Sequence, residues 1–223
     1  MRKKKPVIIV DPYPRTMDLI FSKSNLKYLK QNFNLVVSPN KNKKKFYEKN
    51  LPNAEYIFGQ PNLPTSLISK SIKLKAIFNV ESNFMDNMDY EYCFNNGIHV
   101  LATSPVFAQP VAEMALGLTL SIARSIHIAH SDFVVSKEKY GGVISQRNFL
   151  LKNKTFGLIG FGDLAKSLTP HLKVFSNEIL AYDPWVPDKE IERFDVKPNN
   201  LNTLLKKSDV IYILASITSS NQS

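Results

Sequence analysis

Short apolar runs rich in β-branched and aromatic residues alternate along this chain with segments of helical periodicity, and this alternation restricts the fold more than any other feature. Segments with apolar residues three and four positions apart separate the runs. Alternation of strand and helix predicts a parallel sheet that is covered on both faces. The predicted strands of the first half cover 7–10, 35–37, 56–58, 76–78 and 98–101, and the predicted helices cover 17–33, 43–50, 63–72 and 88–96.

A second organisation begins after residue 103, where a long helix is predicted to start near Pro110 and to run toward Phe133. Because apolar residues cover most of its circumference, we expect this helix to be clasped between other elements. Strand and helix then alternate again, so the sequence predicts a second α/β lobe. Its predicted strands are 155–159, 178–182 and 209–214, and its predicted helices are 163–175 and 201–207.

Composition places the chain among ordinary globular proteins, with 223 residues, 43% hydrophobic and 22% charged. Cys93 is the only cysteine, which favours a reducing compartment, and we expect a cytoplasmic protein. The apolar run at 7–10 is too short for a signal peptide. The longest uncharged stretch, 114–123, is about half of the ~20 residues that cross a bilayer, so it predicts a buried helix and no membrane association.

The formal net charge of +10 raises the question of a nucleic-acid partner. The lysines, however, occur in short scattered runs at 3–5, 43–45 and 206–207, without a recognition motif among them. The pattern favours a solvated basic surface, and no nucleic-acid partner is expected.

The strongest local signal is a strand that runs into a glycine turn and then a helix, Thr155-Phe-Gly-Leu-Ile-Gly160-Phe-Gly162-Asp-Leu-Ala165. Gly160 permits the tight turn, and Gly162 removes a side chain where a pyrophosphate must approach. The phosphates would then meet the backbone of Asp163 and Leu164 at the start of the helix. Glycine turns of this kind also occur for purely structural reasons, so the turn alone does not establish a nucleotide site.

An acidic residue supports the prediction of a nucleotide-binding site. Asp183 ends the next predicted strand and lies 21 positions after Gly162, close to the spacing at which a carboxylate reaches the adenosine ribose hydroxyls. A carboxylate there would repel the 2′-phosphate of NADP. The predicted cofactor is therefore NAD.

Three segments occur in an order that resembles the D-isomer-specific 2-hydroxyacid dehydrogenases, a family that includes phosphoglycerate, D-lactate and formate dehydrogenases and glyoxylate reductase. They are Val80-Glu-Ser-Asn-Phe-Met-Asp-Asn-Met-Asp89, Pro110-Val-Ala-Glu113, and Gly160-Phe-Gly162 with Tyr182-Asp183-Pro184. The resemblance implies a flavodoxin-like substrate lobe over 1–103 and an incomplete Rossmann-type doubly wound parallel sheet over 104–223. It also implies hydride transfer between NAD(H) and a small 2-hydroxy or 2-keto acid, in a homodimer that associates through the long helix.

The resemblance also assigns site residues. The backbone amides of Asn83 and Phe84 would hold the substrate carboxylate, although Ser82 and Phe84 stand where the family commonly has glycine. The following segment, 86–89, is equally consistent with an ordinary helix N-cap, and both interpretations can hold. Near the fourth strand of the nucleotide sheet, Ala215 and Thr218 would border the adenosine, where only the threonine of the family's His-x-Pro-x-Thr element is kept.

The family's catalytic Arg, acidic residue and His would all lie beyond the position of Ser223. Each of the four histidines, His99, His127, His130 and His171, is interpreted as structural. We therefore assign no catalytic residue and no metal site, and we expect no useful turnover from residues 1–223 alone. The alternative hypothesis is a non-catalytic protein that kept the fold to bind NAD or a dimeric partner.

Overall fold

The computed structural model describes residues 4–82, 84–141 and 148–216. The chain divides into two compact units, Met1–Thr103 and Ser104–Ser223, here called unit 1 and unit 2.

Unit 1 contains a five-stranded, all-parallel sheet in the order β2-β1-β3-β4-β5. This is the flavodoxin-like order, so the predicted fold of the first lobe is confirmed. The register places Ile9 of β1 opposite Val36 of β2 and Ile57 of β3. The strands are β1 Val7–Asp11, β2 Asn34–Val37, β3 Tyr56–Gly59, β4 Ala76–Phe78 and β5 His99–Leu101.

The helix predicted over 43–50 has those bounds, whereas the other three helices predicted for unit 1 are shorter or divided. The predicted helix over 17–33 is two helices, because Ser22 caps the second one by accepting a hydrogen bond from the amide of Asn25 at 3.2 Å. The segment predicted over 63–72 forms only one helical turn. The helices are α1 Met17–Ile20, α2 Lys23–Asn32, α3 Lys43–Asn50, α4 Thr65–Ile68 and α5 Tyr90–Asn95, with a 3-10 turn at Leu51–Asn53.

The core of unit 1 lies between the central strands and the helices. Ile9, Ile57 and Ile77 are fully buried, and Leu51 and Ile68 from the helical segments are equally inaccessible. Each such side chain contributes roughly 1.5–3 kcal/mol through removal of apolar surface from water. This core fixes the strand ends at which the polar residues of unit 1 lie.

Unit 2 contains a four-stranded parallel sheet in the order β8-β7-β6-β9. The first strand of the unit, β6, is central, as in the first half of a Rossmann sheet, so the predicted fold is confirmed here too. The two-residue β8 was not predicted, since it is too short to show a pattern. The strands are β6 Phe156–Ile159, β7 Ile179–Tyr182, β8 Lys197–Pro198 and β9 Val210–Ile213.

The long apolar helix differs from its prediction in extent. It begins at Ser104 rather than near Pro110 and ends at Ala123, and Ser125, with φ of +52°, separates it from a second helix. The helices of unit 2 are α6 Ser104–Ala123, α7 Ile126–Val134, α8 Asp163–Lys173, α9 Asp188–Glu192 and α10 Leu201–Lys207.

We expected other elements to cover most of the circumference of α6, and this is wrong for the contacts within unit 2. One face, of small residues including Ala108 and Ala112, packs against α8. The opposite face is exposed, and Met114, Leu118 and Ile122 follow one another along it at four-residue spacing. Apolar residues cover most of the circumference of α6, but its packing partner covers only the small-residue side.

Helix α6 is also longer than the uncharged stretch at 114–123 indicated. Its 20 residues are enough, by length and composition, to cross a membrane. This length and composition are weak evidence for a membrane span, because core helices of ordinary globular proteins meet the same criterion.

Candidate cofactor site

The glycine turn lies at the end of the central strand β6 and leads directly into α8. Gly160 has φ of +92°, and a Cβ atom there would lie 2.7 Å from the backbone nitrogen of Ala215. The amide of Gly160 also donates to the carbonyl of Tyr182 at 2.8 Å. The fold itself therefore requires glycine at position 160.

Gly162 differs, because the fold gives no reason for a glycine there. Its φ of −82° is ordinary for any residue, and a Cβ atom would meet no heavy atom of the described residues within 4 Å. By contrast, a Cβ on Gly157 would lie 2.4 Å from the Ser208 hydroxyl oxygen. The space beside Gly162 lies open at the N-terminus of α8, where helix amides favour an anion, so these residues fit the pyrophosphate of a dinucleotide.

Asp183 directly follows the neighbouring strand β7 and contacts the glycine turn. Its Oδ2 accepts a hydrogen bond from the amide of Phe161 at 2.7 Å. Its Oδ1 accepts from the amides of Trp185 at 2.9 Å and Val186 at 3.1 Å. Since a carboxylate offers about four acceptor positions, three such bonds fix its orientation and leave room for a ribose hydroxyl.

The first residues of α8 show one contact that the sequence does not reveal. Asp163 lies in the first turn, and its Oδ2 accepts a hydrogen bond from the hydroxyl of Ser104, the first residue of α6. The partners are 59 positions apart, so no local pattern predicts the contact. Ala165 is fully buried, whereas Leu164 is partly exposed beside it.

The remaining predicted site residues are only partly described. Ala215 lies against Gly160, as the Cβ distance above shows. Thr218 and Asn83 lie outside the described residues. Their predicted roles at the adenosine and at the substrate carboxylate stay predictions.

At the carboxyl edge of the unit 1 sheet, Arg15 and Glu81 form a bidentate ion pair. The Nε and Nη2 atoms of Arg15 donate to the two carboxylate oxygens of Glu81, both at 3.1 Å. These hydrogen bonds raise the pKa of the guanidinium. Arg15 follows β1 and Glu81 follows β4, so the pair spans the end of β3, which lies between those strands. No local sequence pattern indicates Arg15, because its partner is 66 positions away.

Phe84, predicted to bind substrate through its backbone, has an exposed side chain whose ring contacts that of Tyr90 edge-on at 5.1 Å. The N-cap interpretation of the adjoining segment is correct for Asp89, which accepts from the amide of Tyr92 at 2.8 Å. Hydrogen bonds from the Thr65 hydroxyl and from that amide lower the pKa of Asp89. The described part of this segment is thus held by the Phe84–Tyr90 ring contact and by the hydrogen bonds of Asp89.

A buried carboxylate lies at the end of β1. The Asp11 side chain is 2% exposed and accepts from Lys43 Nζ at 2.7 Å and from the Tyr47 hydroxyl at 2.9 Å. Burial, with a smaller contribution from Asp11, raises the pKa of Tyr47, which keeps it a hydrogen-bond donor. A Cβ on Gly59 would lie 2.5 Å from the Asp11 carbonyl oxygen, so β1 and β3 approach closely here.

The described residues support neither a reactive thiol nor a metal site. Burial raises the pKa of the Cys93 thiol to about 11, so it is not a thiolate near neutral pH. Within the described ranges, no group of three or more His, Cys, Asp or Glu side chains could hold a metal ion.

Comparison with known proteins identifies the second unit. Residues 116–223 match the family model described as the NAD binding domain of D-isomer specific 2-hydroxyacid dehydrogenase. A phosphoglycerate oxidoreductase from Rhizobium etli, known as a crystal structure, is 38% identical, with a TM-score of 0.81 over 94% of this chain and 66% of that one. The chain belongs to the D-isomer-specific 2-hydroxyacid dehydrogenase family.

Curated relatives in this family are oxidoreductases, in agreement with the predicted enzyme class. A hydroxypyruvate reductase from Thermotoga maritima is 36% identical over 138 residues, which are 62% of this chain and 43% of the relative. A glyoxylate reductase from Thermococcus litoralis is 31% identical over 68% of this chain and 47% of its own length. The chain thus spans less than half the length of these two relatives. The predicted cofactor, NAD, is the one that the matched domain of the family binds.

Proposed function

We propose that this protein is an NAD-dependent oxidoreductase that acts on a small 2-hydroxy or 2-keto acid. The observation that carries the proposal is the open space beside Gly162, at the N-terminus of α8 and next to the oriented carboxylate of Asp183. Protein packing explains Gly160 and Gly157 but not Gly162. A ligand that approaches the backbone closely explains it.

In this proposal the first-turn amides of α8 bind the pyrophosphate, and Asp183 accepts hydrogen bonds from the adenosine ribose. The bound nicotinamide supplies the hydride acceptor or donor. Asp183 also fixes the glycine turn through the amide of Phe161, so one carboxylate would orient both the turn and the cofactor.

Unit 1 would bind the acid. Backbone amides near Asn83 and Phe84 suit a carboxylate because they are oriented donors that need no mobile side chain. The Arg15–Glu81 ion pair fixes the start of this segment to the loop after β1. The small acid as substrate and the cytoplasmic location stay predictions.

The first test is cofactor selectivity. We expect NADH to bind at least about tenfold more tightly than NADPH, since a 2′-phosphate would approach the charge of Asp183. Asp183→Asn should narrow this ratio, whereas Asp188→Asn, which also removes an acidic charge from unit 2, should leave it unchanged. Calorimetric titration with both cofactors measures the ratio. Equal affinity for the two cofactors in the wild type would refute the role of Asp183.

The second test concerns association. The exposed apolar side chains of α6 and α7, including Met114, Leu118, Ile122 and Phe133, leave a surface that water solvates poorly. We propose that a second copy of the chain covers it in a homodimer. Sedimentation at micromolar concentration should give a dimer, and Leu118→Lys should shift it to monomer. Ile72→Lys, at an exposed apolar position of unit 1, is the control. A wild-type monomer would contradict the proposal.

A further inference from the structure

Asp163 places a negative charge at the end of the helix that is proposed to receive the pyrophosphate. It lies in the first turn of α8, immediately after Gly162, which makes no side-chain capping bond. Among the described residues, the Asp163 carboxylate is hydrogen-bonded to the hydroxyl of Ser104 on α6, rather than to the amides of its own first turn. Those amides are therefore left for another acceptor.

The electrostatic effect of Asp163 differs between the free and the bound protein. In the free protein, an acidic side chain in the first turn interacts favourably with the positive end of the helix dipole. A pyrophosphate bound at the same helix end brings further negative charge close to that carboxylate, and like charges repel. Asp163 therefore favours the free state over the bound state.

Ser104 limits this repulsion by its position. Its hydroxyl is a neutral donor that holds Oδ2 of Asp163 toward α6. Without it, the carboxylate could turn to the amides of its own first turn and occupy the place of the phosphate, since Asp side chains accept hydrogen bonds from neighbouring backbone amides.

We propose that Asp163 sets the dinucleotide affinity of unit 2 below the value that the glycine turn could reach, and that Ser104 is a positioning residue that keeps this carboxylate out of the pyrophosphate site. The inference rests on the proposed function in that unit 2 binds a dinucleotide. It assigns roles to two side chains rather than to the backbone of the turn.

The two roles predict opposite effects from two conservative variants. Asp163→Asn should bind NADH about threefold to tenfold more tightly, because an amide of the same shape carries no charge. Ser104→Ala should bind it about twofold to fivefold more weakly, because the carboxylate is no longer held aside. The double variant should bind like Asp163→Asn, since a neutral amide does not repel phosphate wherever it points.

The experiment is calorimetric titration of the wild type, the three variants and the control Asp188→Asn with NADH, ADP-ribose and adenosine. The effects should appear with NADH and ADP-ribose, which contain the pyrophosphate, and be absent with adenosine. Thermal melting of each free variant detects a change in stability. If Asp163→Asn does not fold, Asp163→Ser removes the same charge.

The possible outcomes separate this inference from the function on which it rests. Binding of NADH by the wild type with unchanged affinity in Asp163→Asn would refute the inference alone. An additive effect of the two substitutions would refute the positioning role of Ser104. Absence of NADH binding in both the wild type and Asp163→Asn would refute the proposed cofactor site as well.

Discussion

Gly162→Val should lower the affinity for NADH at least ~100-fold, which is ~2.8 kcal/mol of binding free energy, while the protein stays folded. The backbone at this position has φ of −82° and ψ of −160°, an extended conformation that valine adopts readily. Its Cβ would meet no atom within 4 Å in the part of the chain that the structure describes, so we expect the variant to fold. The two methyl groups would instead fill the space that the pyrophosphate needs. Fluorescence titration with NADH measures the loss.

Two further variants make this result specific. Gly117→Val changes the other described glycine that combines an ordinary φ with open space around a Cβ, and it should bind NADH as the wild type does. Gly160→Ala should lower the melting temperature, because its Cβ would lie 2.7 Å from the Ala215 nitrogen. Undiminished NADH binding by a folded Gly162→Val variant would show that the glycine turn is structural only.

Lys43→Met should destabilise unit 1 by ~2 kcal/mol, because it leaves the buried Asp11 carboxylate without its cation. Removing one partner of a buried pair costs about 3–5 kcal/mol in general. The Lys43 side chain is 32% exposed and the Tyr47 hydroxyl remains as a donor, so we expect the smaller figure.

Urea denaturation distinguishes the two units, because Trp185, the only tryptophan, lies in unit 2. Far-ultraviolet circular dichroism should show an earlier transition in Lys43→Met, with little change in the tryptophan fluorescence transition. Lys44→Met removes a neighbouring charge without touching Asp11 and should leave both transitions in place. Equal effects of the two lysine variants would show that the contact with Asp11 contributes nothing.

The sequence predicted the features that depend on neighbours along the chain. The strands and their parallel arrangement follow from apolar runs, and the turn at 160–162 follows from two glycines one residue apart, because glycine adopts positive φ without steric cost. Helix α10 has the bounds that the sequence predicts, Leu201–Lys207. Family resemblance supplied the lobe types.

What could not be predicted depends on residues far apart in sequence. The contacts Arg15–Glu81 and Ser104–Asp163 join loops or helices that only the folded topology brings together. The error over α6 has the same origin. The sequence shows that apolar residues cover most of the circumference of α6. It does not show which side meets α8, because the side formed by Ala108 and Ala112 is identified only when the two helices are seen packed together.

The order of strands in unit 2 has a consequence for synthesis on the ribosome, where the chain emerges from its N-terminus. Helix α6 appears first, yet its packing partner α8 begins only at Asp163. Strand β6 likewise appears before both of its neighbours, β7 and β9. The amide of Phe161 in the glycine turn can donate its hydrogen bond to Asp183 only after that residue has left the exit tunnel. During this interval the small-residue face of α6 lacks its partner α8, so a nascent chain paused between residues 123 and 163 should be a preferred substrate for chaperones.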